Sequence, residues 1–231
     1  MTQRASKITL FDDPHNQPGD QEMEFRLTYD GPLFSTQNEP CGSQKDSKAD
    51  HKHTLRKRFH TQLKRLWEIT PFLHNPRGIA QIRTRRTIEE YEQPHDIQTL
   101  SEKFNIPPFN FVPLVTHDIE LFCGLNILFL RPDKPGKLWR GDIDNRIKTL
   151  IDALQVPEIN EGYAQRIPEA GEAPFFCLLA KDELVTKLSI ETDQLLEFVT
   201  QEQSLNDVRL VITVRIWPYA MHIGNMEFGS G

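Results

Sequence analysis

Residues 118–132, DIELFCGLNILFLRP, carry Ile119, Leu121, Cys123, Leu125, Ile127 and Phe129 at every second position, with further apolar side chains between them. Successive strand residues face opposite ways, so this pattern predicts a strand buried on one face and partly covered on the other. Shortly after it comes GDIDNRIKTLIDALQVP, residues 141–157, where Ile143, Ile147, Leu150, Ile151 and Leu154 recur at spacings of three and four before Pro157. That spacing predicts a helix with one apolar stripe, stopped at the proline. A well-buried strand therefore feeds directly into an amphipathic helix.

Other segments add to this nucleus. In EMEFRLTYDGPL, Phe25, Leu27 and Tyr29 alternate with polar residues up to Asp30-Gly31, which predicts a first strand. Two more are expected, one from about Leu184 (Leu184, Thr186, Leu188, Ile190) and one over DVRLVITVRIWP (Val208, Leu210, Ile212, Val214, Ile216). A second helix is expected where Leu55, Phe59, Leu63, Leu66 and Trp67 form a stripe. Residues 1–20 and 218–231 read as tails, and 35–50, 71–110 and 157–175 as insertions in a single domain spanning 21–217. IAQIRTRRTI is a candidate short strand. Strands and helices mixed without regular βαβ alternation predict the α+β class, a mixed sheet packed with helices.

No apolar run approaches the roughly 18 residues of a membrane span, and the N-terminus lacks the apolar stretch of a signal peptide, so a soluble cytoplasmic protein is expected. Cys41, Cys123 and Cys177 are widely spaced and odd in number, which fits neither a disulfide framework nor a Cys-x-x-Cys metal site. The net charge is −6, yet from His51 to Thr87 ten Lys or Arg face a single acid, Glu68. Such a basic stretch is either a solvated face or a surface for phosphates. Arg56, Lys57, Arg58 and Lys64 are its candidate DNA contacts, joined by Arg140 and Arg146 beside the acidic pair described next. His51, His53 and His60 make only a weak zinc pattern, and Trp67, Trp139 and Trp217 suit a core.

Asp142 and Asp144 open the second helix. Aspartate is a good cap, because its carboxylate accepts hydrogen bonds from first-turn amides and suits the helix dipole. One aspartate satisfies that role. Asp144, Lys148 and Asp152, spaced by four, then form a polar strip that is either ion-pair decoration or a metal ligand with a lysine placed for a phosphate. Carboxylates without His or Cys suit a hard ion such as Mg2+, with Mn2+ as a substitute, and Asp182 or Glu183 is the nearest further acid in sequence.

RGDIDNRIKTLIDAL resembles the signature of the RusA family of Holliday junction resolvases, in which an Asp-x-Asp-Asn pair begins a helix and a lysine follows one turn later. The resemblance covers about residues 111–217. It implies that Asp142 and Asp144 are metal ligands, that Lys148 is the catalytic lysine, and that Asn145 and Asp152 have supporting places. Asp182, in KDELV, matches the second aspartate of the family's later acidic segment and would be a third ligand, while Lys181 and Leu184 depart from the pattern. It further implies an intertwined homodimer with no small-molecule cofactor, which binds branched DNA and resolves four-way junctions by paired Mg2+-dependent nicks in recombination and repair, a prophage-type activity. The alternative is a RusA-like junction-binding protein without cleavage.

Overall fold

The computed structural model describes residues 23–34, 44–74, 95–132, 143–158, 161, 163, 166–197, 206–221 and 224–229 of the 231. The expected N-terminal tail and the candidate strand at 79–88 lie outside them. The chain is α+β with mixed sheets, in keeping with the expected class.

The strand that opened the sequence argument is β4 (Leu121–Arg131), an inner strand of a four-stranded sheet. It pairs antiparallel with β7 (Asp207–Pro218), which in turn pairs antiparallel with β1 (Met23–Pro32). On its other side β4 pairs in parallel with β6 (Val185–Gln194), so the order is β1-β7-β4-β6. Leu27, Leu125, Ile127, Phe129, Leu210, Ile212 and Val214 all fall on one face and are buried. β1 runs past the expected stop at Asp30-Gly31 because Gly31 adopts φ +146°, where a Cβ would meet the Tyr29 hydroxyl at 2.9 Å. That hydroxyl donates to the Pro32 carbonyl at 2.7 Å.

Over the buried face lies α1, which starts at Gln44, inside the stretch read as a loop over 35–50, and continues to Ile69. The polar composition of its first turns hid a helix that tertiary packing extends. Leu55, Phe59, Leu63 and Trp67 are buried along one line of α1. Full burial of a Leu or Phe contributes about 1.5–3 kcal/mol, so this stripe anchors the helix. Gln62 bonds across to the edge strand β1, its Oε1 accepting from the Thr28 amide at 2.9 Å and its Nε2 donating to the Thr28 carbonyl at 2.8 Å.

In the region read as an insertion over 71–110, the described residues 71–74 and 95–110 are part of the fold. After the short helix α2 (Pro71–His74), α3 (Ile97–Lys103) is capped by Asp96, whose carboxylate accepts from the Thr99 amide. The two-residue β2 (Asn105–Ile106) then leads into β3 (Phe109–Val115). β3 pairs in parallel with β5 (Phe175–Leu179), a strand the sequence reading missed by starting at Leu184. Every residue of β5 is buried, Leu178 and Leu179 in the main core and Phe175 and Cys177 in a second cluster with Phe109, Phe111 and Tyr163. A strand covered on both faces has no alternation to detect.

The expected C-terminal tail is also corrected. Residues 224–229 fold back in a 3-10 turn, Phe228 and Asn225 are buried, and Asn225 donates to the Ile119 carbonyl at 3.0 Å. The helix predicted from Ile143 is α4 (Ile143–Leu154), with Ile147, Leu150 and Leu154 buried and Ile143 and Ile151 partly so.

Arg56 ties these parts together. Its guanidinium, fully buried, donates to the Asp152 carbonyl at 2.6 Å and the Gln155 carbonyl at 3.3 Å, the free carbonyls at the C-terminal end of α4. It also reaches Glu161 at 2.8 Å and the Tyr163 hydroxyl at 3.1 Å. A cation is favoured there by the helix dipole, and the carboxylate answers the cost of burying it. Arg56→Met is expected to lower unfolding free energy by about 3–5 kcal/mol in chemical denaturation, since it leaves two carbonyls without their donor and Glu161 with Lys52 alone. Arg65→Ala, which removes only an exposed pair with Glu68, is expected to cost at most about 0.5 kcal/mol in the same measurement.

Candidate functional site

The two ends of α4 are chemically opposite. In its first turn Asp144 is exposed, and one turn later Lys148 is exposed on the same face. Residues four apart on a helix lie about 6 Å apart at Cβ, near enough to act on one small group. Neither forms an ion pair among the described residues. Between them Arg146 donates to the Asn206 side chain at 2.8 Å, fixing this end of α4 beside the start of β7. Asn206 in turn accepts from the Leu33 amide at 2.8 Å through its carbonyl, which joins β1 to the same corner.

Two turns on, the strip ends in an ion pair, one of the two roles that its spacing left open. Asp152 is partly buried and meets Lys52 at 3.4 Å, while Lys52 also meets Glu161 at 3.0 Å. Burial opposes the charge on Glu161, but Arg56 and Lys52 outweigh it and hold its carboxyl below the ordinary range. Asp152 belongs to this structural network.

Asp182 is not brought to Asp144 within the chain. Its amide bonds the Gln155 side chain at 2.8 Å, just beyond the last turn of α4. The ten steps from Asp144 to Leu154 rise about 15 Å at roughly 1.5 Å each. The strands agree: Val185, just after Asp182–Leu184, pairs with Cys123, whereas Arg209, just after Asn206, pairs with Leu130. Seven residues of β4 separate those positions, about 23 Å at roughly 3.3 Å per residue. A strand parallel to β4 that follows a helical crossover has to start at the far end of the sheet, so an acid preceding it lies away from the helix N-terminus. Glu183, the other acid considered, meets His117 at 3.0 Å at that same far end. Asp142 and Arg140 lie outside the described residues.

Among the described residues no group of three or more His, Cys, Asp or Glu is arranged to hold a metal ion. Mg2+ asks less of a protein than that, because one or two carboxylates suffice when water and phosphate oxygens complete its shell. Asp144 fits that demand, with Asp142 two residues before it in sequence.

Part of the basic face, Lys52, Arg56 and Lys57, is answered from within. Arg56 is buried and is not a DNA contact. Lys57 meets Glu169 at 2.6 Å and Glu172 at 3.1 Å, both from the acidic loop after α4, which therefore lies against α1. Lys64 is half-buried beside Gly171. Arg58 is exposed and forms no ion pair among the described residues. Lys52, Arg56 and Lys57 of the basic run thus form an internal ion-pair seam, whereas Arg58 and Lys64 stand outside it.

The histidines are structural. His60 accepts from the Phe176 amide at 2.9 Å through Nδ1 and donates through Nε2 to the Gly171 carbonyl at 3.0 Å, so both ring nitrogens serve the backbone. His53 meets the Tyr163 hydroxyl at 3.1 Å, and His51 accepts from the Phe34 amide at 3.2 Å.

A feature the sequence reading missed lies on the outer face of the four-stranded sheet. A cavity of about 200 Å3 is lined by Gly124, Asn126, Lys187, Thr213, Arg215 and Trp217. Gly124 makes room for the Trp217 ring, since a Cβ there would sit 3.0 Å from it, and the Lys187 ammonium lies 5.0 Å from the ring centre. These residues come from three strands, so only the pairing register assembles them.

No known family model, curated protein or solved structure matches the chain.

Burial lowers the pKa of His53 and His95 from 6.5 to about 4, and lowers that of His60 as well. A group whose folded pKa is depressed binds a proton first in the unfolded chain, so stability is full above the unfolded value and is lost as pH falls. Denaturation midpoints are therefore expected to drop steadily from pH 6.5 toward pH 4, before most carboxylates titrate. His95→Asn, also tracked by denaturation across that range, is expected to flatten the slope.

Proposed function

We propose that this chain is a Mg2+-dependent, structure-selective endodeoxyribonuclease of RusA type. It acts on four-way DNA junctions as a cytoplasmic homodimer in recombination and repair, in the manner of prophage-encoded enzymes. The observation that carries the reading is the exposure of Asp144 and Lys148 on one face at the N-terminal end of α4, while Asp152, the third charge of the same strip, is held by Lys52. The first acid and the lysine of the strip are thereby both left open to a ligand from solvent.

In this reading Asp144, with Asp142, holds the ion, and bound Mg2+ supplies a more acidic water and neutralises charge on the scissile phosphate. Lys148 places its ammonium against a phosphate oxygen, where negative charge grows as the phosphodiester is attacked. The Arg146–Asn206 bond keeps the first turn of α4 in register with β7, so the carboxylate and the ammonium are presented from a rigid element. Asp182 takes no ligand role.

A second reading, junction binding without cleavage, is favoured by one observation: the acid expected to complete the site stands at the other end of α4. One assay separates the two. With a synthetic four-way junction and Mg2+ or Mn2+, Asp144→Asn and Lys148→Ala are each expected to slow nicking by about 100-fold or more. Asp182→Asn is expected to leave the rate within a few-fold of wild type. Junction binding with no metal-dependent nicking selects the second reading, and absence of both nicking and junction-selective binding sinks both.

A further inference from the structure

The two edges of the four-stranded sheet are treated differently. At β1 the edge is covered by α1, where Gln62 satisfies both the amide and the carbonyl of Thr28. At β6 the outer edge has no strand partner among the described residues. From Thr186 to Glu191 every residue of β6 is exposed, including Leu188 (46%) and Ile190 (37%). These two pair laterally with Leu125 and Ile127, which are buried core residues, so the core face of the sheet runs out to this edge and stops uncovered. An edge this long, uncovered on both faces, templates a further strand unless something blocks it.

We infer that β6 pairs antiparallel with β6 of a second copy of this chain, about a two-fold axis at Ser189. The register follows from three constraints. Matching core face to core face allows only pairings in which residue numbers differ by an even amount, because a one-residue slip turns every side chain over. A two-fold axis at Ser189 then sets Leu188 against Ile190 of the second copy, so that each exposed apolar residue covers the other. It also sets Lys187 against Glu191 of the second copy on the outer face, twice per dimer. Within one chain neither Lys187 nor Glu191 forms an ion pair among the described residues. An axis at Leu188 instead sets Lys187 against Ser189 and Val185 against Glu191. An axis at Ile190 sets Leu188 against Thr192 and Ser189 against Glu191. Only the Ser189 register matches both the apolar pair and the Lys–Glu pair.

A lysine on an edge strand usually repels a second strand. Here that repulsion is answered by Glu191, four residues along, which the two-fold axis places opposite it. The resulting sheet has eight strands, with β1 and its Gln62 cover at both ends. A homodimer is shared with the proposed function; the interface and its register rest on β6 alone, so a dimer that neither charge swap weakens removes the interface without touching the nuclease reading.

The full-length protein is the material for the test. Sedimentation analysis is expected to give a concentration-dependent dimer. Lys187→Glu and Glu191→Lys, each placing like charges across the axis, are expected to weaken the dimer by about tenfold or more, and the double swap to restore it. Ser189→Cys, made with Cys41 also replaced by serine, is expected to give a disulfide-linked dimer under mild oxidation. These positions are on the surface, so unchanged melting curves are expected to show that the variants fold. A protein monomeric at all concentrations overturns the inference. So does a dimer that neither charge swap weakens and that Ser189→Cys fails to cross-link.

Discussion

The buried guanidinium of Arg56 is the contact on which the arrangement of the other elements depends. It sits in α1 between residues that face the core, and it reaches the last carbonyls of α4 and the carboxylate of Glu161. Burying a charge is costly unless every donor finds an acceptor, and here backbone carbonyls, a carboxylate and a phenol hydroxyl supply them. The consequence is directional. With its C-terminal end fastened to α1, α4 presents its other end, with Asp144 and Lys148, beside the corner where Asn206 joins β1 and β7.

That division along one helix separates charges that look alike in sequence. Asp144, Lys148 and Asp152 lie on one strip, yet Lys52 takes Asp152 into the ion-pair network and leaves the first two to solvent. The acidic loop between α4 and β5 acts in the same way on α1, where Glu161, Glu169 and Glu172 meet Lys52, Arg56 and Lys57. Lys52, Arg56 and Lys57, which read in sequence as part of a basic surface, are one half of a seam. Arg58 is exposed and takes no part in that seam among the described residues.

The sheet carries a comparable asymmetry. Gln62 closes the β1 edge with two hydrogen bonds to one residue, a small device that removes a template for further strands. Nothing equivalent covers β6 among the described residues, and its outer face continues into the cavity floored by Gly124 and walled by Trp217 and Lys187. The core face and the outer face of the same sheet thus meet solvent at β6 for opposite reasons: one has run out of cover, the other is polar from the start.

The strands β1, β4 and β7 and the helix α4 were legible by themselves, because each has one buried face and so writes a period of two or of 3.6 into its residues; β6 keeps the same alternation although its middle is exposed. The same holds for the middle of α1 and for the candidate pair Asp144 and Lys148, whose spacing is local. Other features were decided only in three dimensions. β3 and β5 are covered on both faces and show no period, and the first turns of α1 are polar because packing further along holds the helix. Phe228 is one apolar residue whose burial depends on a chain reversal. The fate of each charge is likewise tertiary: whether Arg56 faces DNA or a helix end, and whether Asp182 stands beside Asp144 or a helix length away, depends on which elements are neighbours. Local periodicity determines what each segment is, and the parallel crossover from β4 to β6 determines which residues meet.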